Sequence, residues 1–456
     1  MKKLFCLLFV GLALFSCKKE EDKRVPDDDG KKEEQSGDQS GDQSDKETLK
    51  PTYVYDKADL ADSTKVTIYQ ARSTKRGVCY NFMPDTFVYK LAEGISWVYN
   101  WGQTPSTTAL ENAFREHNVE FIPMFWTNPN NNFTNVAGFL DRNPQVTHIL
   151  GYNEPNLSDQ CNMQPATAAQ SWPSVVNFVK GRSGVKLISP AMCHGNIPTY
   201  GDPFKWLDAF WAIEGINLSD VSAIACHSYM EAAGATINFG DEFTTKYNKK
   251  YWLTEFCAWG DFNGGYEGQQ KFMNEMLYKL EKDDNCERYA WFKFDGGITS
   301  KPWNGCYFKR ALTEIGKLYM YYSTFDQNVV YPSNKWIPAE HFRNANEKIK
   351  CYATTDTDGN LEINSFSDED FVEYKVALEA GENILHFRYQ VNRNIKLKIS
   401  LDGVSLGEFA LTETGEKGDA WGTAHIKLDI PSAGDKVVKF TTNGGILNIN
   451  RFAFEN

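Results

Sequence analysis

Two glutamates, Glu154 and Glu255, each close an apolar run of the kind that forms a buried strand. The first run, Ile149 to Tyr152, stops at Asn153-Glu154-Pro155, because a proline cannot donate to a strand ladder. The second is Tyr251-Trp252-Leu253-Thr254-Glu255-Phe256. An unpaired ionised carboxylate in such surroundings is costly, so it shifts its pKa or finds a partner. Either glutamate alone reads equally well as an ordinary paired or capping residue. Together, about a hundred residues apart, they are what a parallel (β/α)8 barrel would bring to one face. Two carboxyls held ~5–5.5 Å apart can serve as nucleophile and proton donor at an acetal carbon, cleaving a glycosidic bond with retention.

The elements that would hold such a pair are legible between Arg76 and Asp295. Short apolar runs recur at Gly77 to Tyr80, Ile95 to Asn100, Phe121 to Trp126, Ile149 to Tyr152, Leu187 to Ala191, Ala223 to Ser228, Trp252 to Phe256 and Tyr289 to Phe294. Between them lie segments with helical spacing, such as Phe204/Trp206-Leu207/Phe210-Trp211 and Phe272/Met276-Leu277/Leu280. Leu312/Ile315/Leu318-Tyr319 closes the set. Strands that are apolar throughout indicate a parallel sheet covered by helices, and a (β/α)8 TIM barrel is predicted. A doubly wound open sheet competes, but no Gly-rich phosphate loop follows the first strand.

Active sites of such barrels sit at the C-terminal strand ends. There the chain presents Asn153 with Glu154, Tyr99 with Trp101, Trp126, His227 with Tyr229, Glu255 with Trp259, and Trp291. Stacking aromatics, hydroxyl-reading amides and two carboxylates describe a saccharide cleft. Trp101 and Trp126 read alternatively as packing on the barrel cap, and Trp259 and Trp291 as core. His227 reads as a core histidine or as a partner of the nucleophile. The seven histidines are dispersed and no H-E-x-x-H occurs, so no metal is expected and no cofactor is required. A G-x-S-x-G elbow is absent too.

Length allows two or three domains, and 41% hydrophobic residues supply a sizeable core. The net charge of −12 disfavours a nucleic-acid partner and suits a neutral substrate. Residues 1–17 read as an address: Lys2-Lys3, an apolar run from Leu4 to Phe15, then Leu14-Phe15-Ser16-Cys17. The run is too short to span a bilayer. It resembles a bacterial lipobox, which implies lipidation at Cys17, and the acidic stretch after it resembles a surface-export signal. An outer-membrane, surface-exposed lipoprotein is expected, the alternative being an ordinary secretory signal. Residues 18–52 are charged and carry a Ser-Gly-Asp-Gln repeat, which reads as a disordered tether. Eight cysteines follow Cys17; Cys161 with Cys193 is a conceivable bridge.

Over residues 72–322 the chain resembles glycoside hydrolase family 128, in the clan of retaining barrel glycosidases. The motifs are Arg76-Gly77-Val78, Trp97-Val98-Tyr99-Asn100-Trp101, Phe121-Ile122-Pro123-Met124, Gly151-Tyr152-Asn153-Glu154-Pro155-Asn156 and Trp252-Leu253-Thr254-Glu255-Phe256. The resemblance implies action on β-1,3-glucan, Glu154 as acid/base, Glu255 as nucleophile, and Asn153 bonded to a sugar 2-hydroxyl. The catalytic domain is placed at 53–325.

From Ile337 the pattern changes to period-two strands, Val372 to Val376, Ile384 to Tyr389 and Leu397 to Leu401, and a β-sandwich is predicted over 334–456. It resembles carbohydrate-binding module family 6 through Pro338-Ala339-Glu340, Asp370 to Tyr374, Trp421-Gly422-Thr423 and Gly445 to Phe452. The resemblance implies sugar binding by Trp421 and Asn448 and a structural calcium near Glu340. Two departures weaken both implications. The facing aromatic falls near Ser365 or Phe366, and the last acidic calcium ligand is Asn450. Removal of residues 330–456 is expected to leave cleavage of short soluble oligosaccharides unchanged. The whole reads as a monomeric, retaining β-1,3-glucanase. The alternatives are a non-catalytic glycan-binding lipoprotein or a glycosidase for another β-linked glycan.

Overall fold

A computed structural model describes residues 67, 69–259, 265–295 and 302–456. The leader, Cys17 and the segment 18–52 lie outside the described residues.

Eight parallel strands form one sheet: β1 (Arg76–Cys79), β2 (Trp97–Tyr99), β3 (Glu120–Phe121), β4 (His148–Ile149), β5 (Lys186–Ile188), β6 (Val221–Ser228), β7 (Tyr251–Phe256) and β8 (Cys286–Trp291). Their order, β3-β2-β1-β8-β7-β6-β5-β4, leaves β3 and β4 at the two ends. The ring closes there: Leu150 N–H donates to Pro123 O at 2.8 Å and Phe125 N–H to Leu150 O at 3.0 Å. The helices are α1 (Val88–Leu91), α2 (Thr108–Glu116), α3 (Thr134–Arg142), α4 (Pro165–Lys180), α5 (Pro203–Trp211), α6 (Ala233–Tyr247), α7 (Tyr266–Lys282) and α8 (Glu314–Tyr321). Each predicted strand is present, and the fold is the TIM-like barrel expected.

Local chemistry sets the helix starts. Thr107 caps α2 by accepting from Leu110 N–H, and Asp202 caps α5 by accepting from Phe204 and Lys205 N–H. Helix α8 begins later than the Leu312 spacing suggested. Thr313 caps it through Gly316 N–H, and Leu312 pairs instead in a short hairpin of β9 (Tyr307–Phe308) and β10 (Ala311–Leu312). Inside the barrel, Trp97, Tyr99, Met124 and Trp252 pack with the small Ala223, Ala225 and Ala290. The strands' opposite faces meet the helices. At the N-terminal mouth the Arg288 guanidinium lies 4.8 Å from the Trp252 ring and pairs with Glu120 at 2.7 Å.

The C-terminal part is a sandwich of two antiparallel-rich sheets, as its alternating pattern predicted. One contains β11 (Tyr331–Pro332), β13 (Asn344–Ala345), β16 (Phe371–Leu378), β18 (Ile395–Leu401), β19 (Val404–Leu411) and β21 (Gly434–Asn443). The other contains β12 (Ile337–Pro338), β14 (Lys350–Ala353), β15 (Leu361–Phe366), β17 (Gly381–Gln390), β20 (Gly422–Ile430) and β22 (Leu447–Glu455). The Asp402-Gly403 turn joins β18 to β19, with φ of 48° and 83°, the pairing that suits the twist of a two-residue hairpin.

The sandwich is packed onto the barrel, not merely strung after it. Asn274 of α7 is buried and bonds the Cys351 backbone of β14 twice: it accepts Cys351 N–H at 2.7 Å and donates to Cys351 O at 3.0 Å. Tyr278 donates to Ala345 O at 3.2 Å, and Phe342, fully buried, lies 5.3 Å from Phe325 and 5.8 Å from Tyr322. Cutting the chain at residue 330 would uncover these apolar rings, so clean separability of the two parts no longer follows. All eight described cysteines are free thiols; Cys161 faces Thr127 Oγ1 at 3.6 Å and Cys193 faces Asn156 Oδ1 at 3.7 Å, so the conceivable bridge is not formed.

Asn274→Ala should leave the Cys351 N–H and C=O buried without partners, at a cost of about 2 kcal/mol. Chemical denaturation that shows unchanged stability in this variant would mean that the docking contact is dispensable.

Candidate active site

Glu154 reaches the barrel mouth because the chain turns sharply after β4. Its φ is +44°, a left-handed conformation that costs a non-glycine residue of the order of 1 kcal/mol. The turn is held by Glu154 N–H to Ala191 O at 2.9 Å and Leu157 N–H to Glu154 O at 3.0 Å. Close by, Gly151 has no room for a side chain: a Cβ there would meet Ser189 O at 2.8 Å.

Glu255 arrives by a different device. Cys226 pairs with Leu253 but His227 pairs with Glu255, so β7 carries one residue more than β6 across that step. Its pairing with β8 shows the same excess, Leu253 with Tyr289 and then Phe256 with Trp291. Thr254 is the extra residue of a β-bulge, and the bulge turns Glu255 into the barrel where simple alternation would send it outward. The Thr254 hydroxyl is buried with no partner among the described residues.

The two carboxylates and His227 form one buried group, with one polar atom from each lying within 4.8 Å of the others. His227 Nδ1 is 2.9 Å from Glu154 Oε1 and 3.6 Å from Glu255 Oε1. Burial alone would lower the His227 pKa, but the charges of Glu255 and Glu154 together outweigh it and raise it. Burial likewise raises the Glu255 pKa. His227 opposes that rise, Glu154 adds to it, and the donors Tyr229 and Trp101 hold it back. Glu255 Oε1 accepts Trp101 Nε1–H at 2.7 Å, and Oε2 accepts the Tyr229 hydroxyl. Three such groups could in geometry surround a cation, but these oxygens already accept protein donors.

The remaining predicted residues divide. Asn153 is buried with Oδ1 unpartnered among the described residues, while its Nδ2 reaches Gln160 Oε1 at 3.3 Å. Trp126 is half-buried and its carbonyl accepts Asn153 N–H. Trp259, 38% exposed, packs 5.2 Å from Tyr229 at the rim. Two assignments need correction. Trp291 is fully buried on the outer face of β8, 5.2 Å from Phe256, with its N–H on Asn304 O at 2.7 Å, so it belongs to the core between strands and helices. Tyr99 is also fully buried, beneath Glu255, and supports the site without facing a cleft.

Phe292 takes the place expected of Trp291. It packs 6.0 Å from Trp101, 5.4 Å from Tyr229 and 6.0 Å from Trp259, and so joins these rings into one aromatic wall. The signal was present in the alternation of β8, since the small Ala290 faces inward and Phe292 follows it by two residues.

In the sandwich, Trp421 and Asn448 come to the same end of β17, whose Tyr389 pairs with Gly422 and Gln390 with Asn448. Trp421 donates to Thr355 Oγ1 at 3.0 Å, and Asn448 is engaged by Gln390 and by Ser365 N–H, both at 3.0 Å. The facing aromatic is missing: Ser365 is exposed and Phe366 is fully buried. Glu340 is buried, its Oε1 accepts Leu361 N–H at 3.2 Å, and Oε2 has no partner among the described residues. Burial pushes its pKa up to about 8. Asn450 adds no charge nearby, and its Nδ2 is spent on Asp356 and on the Asp358 carbonyl.

A parallel barrel carrying two buried carboxylates 2.9 and 3.6 Å from one histidine, under an aromatic wall, defines a glycoside hydrolase. Residues 77–319 match the family model described as glycosyl hydrolase catalytic core, and residues 338–456 match carbohydrate binding module (family 6). Among solved structures, the chain is similar to a subgroup II endo-β-1,3-glucanase of glycoside hydrolase family 128 from Pseudomonas viridiflava. The two are 34% identical with a TM-score of 0.50, over 55% of this chain and 98% of that one. A second, from Sorangium cellulosum, is 30% identical over 54% and 97%, TM-score 0.47. A subgroup I enzyme from Amycolatopsis mediterranei, in complex with laminaritriose, is 26% identical over 54% and 99%, TM-score 0.43. No curated protein matches the chain. The chain belongs to glycoside hydrolase family 128.

Trp291→Phe, which removes one buried hydrogen bond, should cost about 1–2 kcal/mol of stability and leave KM unchanged. Trp259→Ala should do the reverse, raising KM with little change in the unfolding midpoint. Exchange of these two outcomes would restore Trp291 to the cleft.

Proposed function

We propose that the chain is a retaining β-1,3-glucanase using Glu255 as nucleophile and Glu154 as acid/base. The observation that carries this reading is the approach of the two carboxylates to within 4.8 Å across His227. Inverting enzymes need roughly 6.5–9.5 Å to admit a water between the groups. The linkage is supported by the Pseudomonas viridiflava relative, which is an endo-β-1,3-glucanase.

Ionised Glu255 attacks the anomeric carbon while Glu154 passes its proton to the departing oxygen, giving a glycosyl ester. Water then adds at the same carbon, Glu154 takes up its proton, and the ester bond breaks. His227 Nδ1 lies 2.9 Å from Glu154 Oε1 and orients that carboxyl. Asn153, with Oδ1 unspent, is placed to accept from a sugar hydroxyl. Trp259 and Phe292 offer ring faces for a sugar. The sandwich is proposed to add a second, weaker contact to polysaccharide at the Trp421 end.

Glu255→Gln should lose on the order of 10⁴-fold in kcat on soluble β-1,3-glucan and still bind it. Glu154→Gln should slow the natural glucan far more than an aryl glycoside, whose leaving group needs no proton. Equal losses on the two substrates would remove Glu154 from the acid role. Incubation with xylan, mannan and mixed-linkage glucan separates this reading from a glycosidase of other specificity.

The same reading places the enzyme on the outer cell surface, lipidated at Cys17 after Leu14-Phe15-Ser16. Cys17→Ser should release it from the membrane fraction. Continued fractionation of that variant with the outer membrane would exclude lipid anchoring there.

A further inference from the structure

The hydrogen bonds at Glu255 are unequal, and a count of protons shows where each is committed. The Tyr99 hydroxyl lies 2.9 Å from Thr254 O and 3.2 Å from Glu255 Oε1. It has a single proton to divide between these two acceptors. His227 Nδ1 stands closer to Glu154 than to Glu255. An indole nitrogen, by contrast, can only donate. Trp101 Nε1–H, at 2.7 Å, is therefore the one of these groups whose proton is committed to Glu255 Oε1. Oε2 faces Tyr229.

The loop after β2 is built to present that N–H. Trp101 adopts φ of +62°, a left-handed conformation that an aromatic residue rarely takes. Asn100 braces it on both sides, accepting Gly102 N–H at 3.0 Å and donating to Thr104 O at 3.1 Å. Gly102 O in turn accepts Met124 N–H at 2.9 Å, which ties the loop to the chain beyond β3. Strain maintained by this many bonds points to a defined task for the side chain.

We propose that Trp101 is a positioning residue whose fixed indole N–H holds Glu255 Oε1, so that Oε2, whose Tyr229 hydroxyl can turn to another acceptor, is the oxygen that bonds to, and later leaves, the anomeric carbon. The proposal rests on the nucleophile assignment above. In the first step the C1–Oε2 bond forms as the bond to the leaving oxygen breaks, and the Glu154 proton goes to that oxygen. In the second, water oxygen bonds to C1, its proton returns to Glu154, and the C1–Oε2 electron pair returns to Glu255. In the ester Oε1 is the carbonyl oxygen, and carboxylate charge comes back to it only as the ester breaks. A donor at Oε1 therefore favours the second step over the first, whereas a ring that merely stacks on sugar would favour neither.

Trp101→Phe keeps an aromatic ring and deletes the N–H. Loss of one hydrogen bond to a charged group predicts a fall of about tenfold in the second step. On an aryl β-glycoside with a good leaving group, kcat and KM should fall together. A rapid burst of aryl alcohol should precede the steady state, because the glycosyl ester accumulates. The acid limb of the pH profile should also move to higher pH, since Glu255 loses a donor while Glu154, His227, Tyr229, Tyr99 and Cys79 still face it. A raised KM with kcat unchanged and no burst would overturn the proposal in favour of stacking. Should the phenylalanine variant fold poorly, 3-benzothienylalanine at position 101 preserves the shape without the N–H and must give the same burst. A parallel arm separates the two assignments. Azide should rescue Glu255→Gly if Glu255 is the nucleophile; failure of that rescue overturns both, whereas rescue without a burst in the Trp101 variants overturns only the role of Trp101.

Discussion

Two carboxylates buried side by side are the constraint that the barrel mouth is arranged around. Taking charge out of water costs several kcal/mol per group unless donors and opposite charge replace the lost hydration. Glu154 and Glu255 each keep 6% exposure or less, so that replacement must come from protein. His227 lies between them, Trp101 and Tyr229 supply donors to Glu255, and the backbone around Ala191 pins the turn that carries Glu154. These partners come from the ends of β2, β5 and β6, and the carboxylates from β4 and β7. A closed ring of parallel strands brings these five ends to one place, which is why the fold and the site cannot be argued separately.

How far this could be read in advance depended on the physics each feature uses. The strands were legible because burial on both faces makes them apolar throughout, and Asn153-Glu154-Pro155 was legible because proline ends a ladder. The sandwich was legible from its period of two. The bulge at Thr254 was not, since nothing in Leu253-Thr254-Glu255 differs from an ordinary strand and the extra residue shows only against the registers of β6 and β8. The same blindness to parity misplaced Trp291. An indole attracts attention as a sugar platform, but facing is set by counting from a fixed point, and Ala290 was that point. Tyr99 failed for a related reason: sequence locates a residue near a strand end without telling whether it lies above or beneath the carboxylates.

The docked sandwich changes what the catalytic barrel is. Helix α7 would normally present a solvated face, yet Asn274 there behaves as a strand partner, closing both polar groups of Cys351. Lys279 with Glu347 and Lys350 with Glu275 frame this contact, and being partly exposed they add little beyond register. Most of the holding comes from Phe342, Phe325 and Tyr322. A second domain held this way moves with the barrel, so any sugar contact it makes is fixed in direction relative to the cleft, unlike that of a module on a flexible linker.

The local irregularities of the barrel mouth form a pattern. Glu154 and Trp101 adopt left-handed conformations, Thr254 interrupts its strand, and its buried hydroxyl has no partner among the described residues. Each is unfavourable taken alone, by something near 1–3 kcal/mol. Irregularity is not confined to the mouth: β7 and β8 shift register between Tyr251 and Trp252, and His148 Nε2 is buried with no partner among the described residues. At the mouth the irregularities follow from what a regular strand can offer. Alternation allows every second side chain to point inward at fixed spacing, and that lattice does not by itself set Glu154 and Glu255 beside one histidine. Reaching that arrangement needs one strand lengthened by a residue and another ended in a sharp turn. The left-handed turn at Glu154 and the bulge at Thr254 are then geometric consequences of bringing two carboxylates to one histidine.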